Sequence, residues 1–179
     1  VTAPDTSAAE QLQKLLPNSK VVKAFNTTFA ADFSTPVIDG RQVDAFIITP
    51  AANTEDQVLM LRKRGIPVVL IDRYLTGIEV DGVHIDNFQA AYKAVRHLLD
   101  NGRTRIGMVS YKNPMAHMTD RVDGYLKAMK AAHIKAKKEW MVDISYSDMA
   151  SDIEAKFSKL LNPLQIDAVL FASNSLAVA

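Results

Sequence analysis

Residues 66–87 read IPVVLIDRYLTGIEVDGVHIDN. The run from Pro67 to Ile71 is continuously apolar, the composition of a strand buried on both faces of a parallel sheet, and it stops abruptly at Asp72-Arg73. The same pattern returns elsewhere: RVDGY at 121–125 places an arginine close to the start of a helical stretch, and FASNSLA at 171–177 ends a strand in Ser173-Asn174. Polar side chains at the C-terminal ends of parallel strands line the crevice in which open α/β sheets bind ligands. The expectation is therefore a cleft furnished with carboxylate, amide and guanidinium groups.

Helices and strands alternate outward from this stretch. The spacing predicts helices over Ser7–Leu16, Thr54–Arg64 (capped by Asn53, closed by Gly65), Phe88–Asp100 (capped by Asp86 or Asn87), Met118–Ala132 (capped by Thr119 or Asp120) and Asp148–Leu161. Strands are predicted at Lys20–Phe25, Gln42–Thr49, Pro67–Ile71, Gly82–Ile85, Arg105–Ser110, Trp140–Ser145 and Asp167–Ser173. Residues 26–36 are ambiguous. This rhythm implies right-handed βαβ crossovers and an α/β fold of parallel sheet with helices on both faces. One β/α series ends and another begins near Ile106 to Asn113, so the expected division is residues 1–47, 48–110 and 111–179, the last being part of a second lobe.

Composition bounds the function. A chain of 179 residues suits one domain or two small lobes. The net charge of +1 gives no electrostatic argument for nucleic acid or an anionic membrane. The absence of cysteine excludes disulfides and thiolate chemistry. No apolar run approaches membrane-spanning length, and the N-terminal residues lack the basic and apolar regions of a signal peptide. A cytoplasmic location is expected, and the missing initiator Met suggests a processed or trimmed chain. The separations of His84, His97, His117 and His133 match no metal-site spacing. No serine sits in a Gly-x-Ser-x-Gly elbow, and no acidic pair has the apolar surroundings that split carboxylate pKa values. Neither a metal, a cofactor nor a catalytic role is expected.

Five blocks, VDAFIITP (43–50), GIPVVLIDR (65–73), VHIDNFQAAYKAVRHLLDNGRTRIGMVS (83–110), DRVDGYLKAMKAAHI (120–134) and IDAVLFASNSLA (166–177), occur in an order and spacing that resemble the effector-binding part of the LacI/GalR transcription regulators. That resemblance begins near Val43 and implies a two-lobed, periplasmic-binding-protein-like fold that binds a small polyhydroxylated, sugar-like or nucleoside-like effector. The family's helix-turn-helix headpiece is not among these residues, so no operator binding through this chain alone is expected. Residues 4–30 and 35–46 instead resemble a segment of the deazaflavin-dependent NADP reductases, which suggests a chimera joined near Val43 to Ile48. The reductases' Gly-x-Gly-x-x-Gly turn occurs nowhere, and nucleotide binding is not carried over.

The candidate ligand-binding residues are Asp72, Arg73, Arg121, Tyr146 and Asn174. The resemblance implies that Asp72 accepts hydrogen bonds from ligand hydroxyls; a plain charge pair with Arg73 at the strand exit is the alternative. Arg121-Val122-Asp123-Gly124 matches the family's Arg-x-x-Gly motif, whose arginine touches the effector; its donor fork suits vicinal hydroxyls or a carboxylate. A solvated helix arginine is the alternative. Asn174 offers donor and acceptor together, or caps a turn. Tyr146 offers an aromatic face to a sugar ring, or is a surface tyrosine. Asp86-Asn87 reads first as a helix cap. A sheet ending at Val169 to Ser173 would leave an open edge, and self-association is expected.

Overall fold

The structure, a computed structural model, describes residues 23–24, 37–38, 41–42, 44–112, 115–161 and 166–177. In chain order the elements are β1 (Lys23–Ala24), β2 (Val37–Ile38), β3 (Arg41–Gln42), β4 (Phe46–Ile48), α1 (Glu55–Lys63), β5 (Val68–Ile71) and β6 (Asp81–Val83). There follow α2 (Asn87–Asp100), β7 (Ile106–Tyr111), α3 (Ala116–Ala131), a 3-10 turn (Lys138–Trp140), β8 (Met141–Ile144), α4 (Ala150–Leu160), β9 (Ala168–Phe171) and α5 (Asn174–Ala177). The helix expected over Ser7–Leu16 lies outside the described residues. The chain divides into two units, one reaching to His84 and one starting at Ile85. The boundaries expected at 47/48 and 110/111 fall inside β4 and β7.

In the first unit, β1, β4, β5 and β6 form a parallel sheet in the order β1-β4-β5-β6. The alternation of strand side chains puts Phe46 and Ile48 of β4, and Val68 and Leu70 of β5, on one buried face. Val58 and Leu61 of α1 close over it with Ile66 and Leu75. The strand expected over Gln42–Thr49 is broken: Arg41–Gln42 pairs antiparallel with Val37–Ile38, and the parallel strand starts only at Phe46. Asn53 does not cap α1. Thr54 takes that position, its hydroxyl donating to the Ala51 carbonyl (2.8 Å), while Asn53 adopts φ 61°. The C-terminus follows the sequence: Gly65, at φ 73°, donates to Arg62 O, and Ile66 donates to Leu61 O. These are the paired bonds of a Schellman cap, with Leu61 and Ile66 both buried beside it.

In the second unit, β7 lies between β8 and β9, all parallel. Residues 106–110 of β7 are buried throughout, as a central parallel strand requires. Helices α2 and α3 pack side by side, and Gly124 is where they meet. Helix α3 starts at Ala116 with Met115 as its N-cap, not at Thr119 or Asp120, so Arg121 sits in the second turn instead of the first. Met115 has no oxygen to signal a helix start, which is why the sequence placed it late. The strand expected from Trp140 begins as a 3-10 turn that buries the indole. Asp167 ties the start of β7 to that of β9, its carboxylate accepting from the backbone N–H of Arg105 (3.0 Å) and Thr104 (3.2 Å).

Tyr125 crosses this core. Its ring is fully buried and its hydroxyl donates to the Ile106 carbonyl at 2.9 Å. Burial pushes its pKa from 10.0 to about 12. The folded state therefore holds the phenol proton more tightly than the unfolded chain. The stabilisation is whole below pH 10 and is lost as pH rises toward 12. Tyr125→Phe leaves Ile106 O without this donor and should cost about 1–2 kcal/mol at neutral pH. Urea unfolding at pH 7 and pH 11 tests both points: the wild-type advantage shrinks at the higher pH, and an advantage unchanged or growing there contradicts the account.

Candidate functional site

The C-terminal edge of each sheet carries the candidate side chains, and each edge is built within its own unit. In the first unit, β5 ends and Asp72 turns the chain sharply. Its φ is 68°, its N–H donates to Val83 O (2.9 Å), and the next N–H, of Arg73, returns to Ile71 O (2.8 Å). Left-handed backbone costs a non-glycine residue roughly 1–2 kcal/mol, least for Asn and Asp, which find local hydrogen bonds. The turn thrusts the Asp72 carboxylate outward, with its side chain 62% exposed, 3.5 Å from the Arg73 guanidinium. Arg73 also reaches the Pro50 carbonyl (3.4 Å) at the end of β4. The alternative of a charge pair is thus realised in geometry, although an exposed pair of this kind contributes little stability. Tyr74, the next residue, has its ring 5.1 Å from that of His84 between centroids.

The second unit's edge is more elaborate. Arg121 projects from α3 and is held at two points: Nε donates to Asn87 Oδ1 (2.8 Å), and Nη1 donates to the Ala172 carbonyl just past β9. Asn87 is itself buried, its amide nitrogen donating to Ile85 O (3.2 Å). The expected helix cap belongs to Asp86, which accepts from Gln89 N–H (2.9 Å). Asn87 does something the sequence reading missed: it fixes the plane of the guanidinium. Arg121 is accordingly not a freely solvated helix arginine.

Tyr146 stands 71% exposed on the turn after β8. That turn is shaped by Asp148, which accepts from Ser145 N–H (2.9 Å) and pairs with Lys156. The hydrogen bond from Lys156, then the one from Ser145, holds the Asp148 carboxyl below its ordinary pKa. The Tyr146 ring stacks on Tyr111, the last residue of β7, at 4.4 Å between centroids. Asn174 opens α5 and is exposed. Its neighbours Ser173 and Ser175 are joined through their hydroxyls (2.8 Å), and Tyr111 OH reaches Ser175 (3.2 Å). The rule that found Tyr146, a polar or aromatic group at the exit of a parallel strand, would also have found Tyr111 had it been applied to β7.

Hollows among the described residues lie elsewhere. One of about 620 Å³ opens at the N-terminal ends of β5 and β6, by Pro67, Val68, Glu79 and Asp81. Another of about 520 Å³ lies beside β8 and α4. None of the five candidate residues lines either. Among the described residues no group of three or more His, Asp or Glu is placed to hold a metal ion. Nor is any helix among them long and apolar enough to cross a membrane.

Parallel β/α units with polar strand exits are what a ligand-binding α/β module presents, and comparison with known proteins agrees. Residues 10–179 match the family of periplasmic binding proteins and sugar binding domains of the LacI family. The chain belongs to this family. The match takes in residues 10–47, so it begins well before Val43, where the sequence resemblance began, and crosses the segment that resembled a reductase. Catabolite control protein A of Priestia megaterium is 33% identical over 134 residues, 74% of this chain and 40% of that protein. The HTH-type transcriptional repressor PurR of Actinobacillus pleuropneumoniae serotype 5b is 24% identical over 127 residues, 71% of this chain and 36% of the repressor. A solved transcriptional regulator CelR–cellobiose complex superposes with a TM-score of 0.64 at 26% identity, covering 76% of this chain and 42% of that one. This chain spans 36–40% of the length of the two relatives named. The second of these is a transcriptional repressor by name. The chain is an effector-binding domain of the LacI type, periplasmic-binding-protein-like in fold.

Proposed function

We propose that this domain binds a small polyhydroxylated ligand, a sugar or a nucleoside-like molecule, as the effector module of a bacterial transcription regulator. Arg121, Tyr146 and Asn174 are its ligand groups in the second unit, and Asp72 and Arg73 in the first. The observation that carries this reading is the clamped Arg121. A guanidinium fixed by Asn87 and Ala172 is aimed before any ligand arrives, so the entropy of ordering it has already been lost. The strained turn at Asp72 supports it from the other unit, since left-handed non-glycine residues gather at ligand sites. Recognition would work by leaving no polar group unpaired: a ligand lacking the matching hydroxyl strands a charged donor and loses affinity.

The module is proposed to work in the cytoplasm as a homo-oligomer, without catalysis and without touching nucleic acid through these residues. A separate origin for residues 1–47 is a distinct proposal that rests only on the resemblance of residues 4–30 and 35–46.

Calorimetry with cellobiose, ribose and adenosine is the test. At least one should bind, and Arg121→Lys should weaken that binding about 10–100-fold, because an ammonium cannot keep two fixed anchors and still present a fork. No binding by any of the three, or full affinity in Arg121→Lys, would overturn the reading.

A further inference from the structure

We propose that Tyr111 is a positioning residue: it holds the Tyr146 ring as a fixed platform, and a ligand ring rests on the face of Tyr146 turned away from it. The inference deepens the ligand-binding reading and rests on it for the purpose of the platform, though not for its construction.

The two tyrosines differ in setting. Tyr146 is 71% exposed on a turn, while Tyr111 is half-buried and packs against two of the unit's apolar clusters. Their rings stand 4.4 Å apart at an interplanar angle of 16°. Near-parallel stacking at that distance requires a lateral offset to be favourable, because directly opposed ring faces repel. Tyr111 is in turn immobilised. It ends β7, the next N–H, of Lys112, donates to Ile144 O (2.8 Å), and the phenol donates to Ser175 Oγ (3.2 Å). Ser175 shares a hydrogen bond with Ser173 (2.8 Å), the residue after Ala172, whose carbonyl accepts from Arg121.

One line of contacts therefore runs Asn87–Arg121–Ala172–Ser173–Ser175–Tyr111–Tyr146. It joins the clamped guanidinium to the exposed ring. A tyrosine on a surface turn would ordinarily sample several rotamers and would have to surrender them on binding. Here one face is already covered, and the other is left to solvent. A rigid, half-covered aromatic face suits a partner with a flat face of its own. A sugar ring's C–H surface and a nucleobase π-face share that chemistry. Hydroxyls on the same ligand would fall to Arg121 and to the Asn174 amide, which begins the helix carrying Ser175.

The first arm of the test needs no ligand. In protein labelled with ring-¹³C tyrosine, the ring current of Tyr111 should displace the Tyr146 signals. Tyr111→Leu should abolish the displacement, and Tyr111→Phe should keep it. The second arm is calorimetry of the same variants with cellobiose, ribose and adenosine. Tyr111→Leu should weaken whichever ligand binds by about tenfold, the scale of one aromatic pair. Tyr111→Phe should cost about threefold and Ser175→Ala, which also removes the bond to Ser173, at least as much; the two together should cost no more than Ser175→Ala alone, because either one removes the bond between them.

Binding by adenosine alone assigns the platform to a base, and binding by sugars alone to a C–H face; both uphold the proposal. Tyr146 signals indifferent to Tyr111→Leu, or a Tyr111→Leu protein with wild-type affinity, would overturn it. If the wild-type protein binds none of the three, the ligand-binding reading fails, and the ring-current arm still decides whether Tyr111 positions Tyr146.

Discussion

Gly124→Ala should destabilise the second unit by about 2 kcal/mol, although alanine is the better helix former by about 1 kcal/mol. A Cβ on Gly124 would lie 2.3 Å from the Phe88 carbonyl oxygen, 3.0 Å from Ala91 Cβ and 3.0 Å from Tyr92 N. Two of those three are backbone atoms of α2, which cannot rotate aside as a side chain end can. The helices must separate, and the ridge of α3 that buries Tyr125, Ala128 and Met129 moves with them. Overpacking costs about 1–3 kcal/mol, and a backbone clash belongs at or above the top of that range. The propensity gain offsets only part of it. Gly107→Ala is the matched control. Its Cβ would meet the ends of the Leu160 and Ile166 side chains at 3.1 and 3.2 Å, and those can give way. Urea denaturation of both variants is the measurement. Equal midpoints would mean that the α2–α3 approach is looser than the structure shows.

The same glycine shows how far the sequence could be read. Arg121-Val122-Asp123-Gly124 was legible as a motif that singled out its arginine, but the motif alone gave no reason for its glycine. The reason is a neighbour more than thirty positions away in sequence, the Phe88 carbonyl, which no local pattern encodes. Elements whose cause is local were readable: β5 as an unbroken apolar run, and α1 from the Gly65 at its end. His133 closes α3 at φ 58° with the same pair of cap bonds, and nothing in a histidine announces that. Strand and helix starts without a signalling residue were misplaced, as at Met115 and Phe46. The site divides likewise. Asp72 and Tyr146 were placed at strand exits by the apolar runs before them, and the structure puts them after β5 and β8. Asn87 was passed over because a perfectly ordinary local role, helix capping, explained it, whereas its actual partner lies on the following helix.

That partnership gives the second large effect. Asn87→Leu keeps the branching and heavy-atom count of asparagine, though leucine is bulkier, and removes both of its bonds, to Arg121 Nε (2.8 Å) and to Ile85 O (3.2 Å). Ile85 is 58% exposed, so its carbonyl can turn to water at small cost. The guanidinium is the dearer loss: a hydrogen bond to a charged group contributes about 1.5–3 kcal/mol. Leucine recovers part of this by burying apolar surface, so the net loss should be about 1–2 kcal/mol. The effect on function should exceed the effect on stability. With one anchor gone, Arg121 keeps only Ala172 O and can swing about that bond, so a bound ligand should be held about tenfold more weakly. Asn87→Asp separates the two roles. Its carboxylate preserves the acceptor for Arg121, now charge-assisted, and sits at the first position of α2, where the helix dipole favours an anion. It should retain the clamp while losing only the bond to Ile85. The Arg121 Nε–H resonance reports the clamp directly: slow to exchange in the wild type and in Asn87→Asp, fast in Asn87→Leu. A slow resonance in Asn87→Leu would show that Ala172 alone fixes the arginine, and Asn87 would then be only a packing residue at the head of α2.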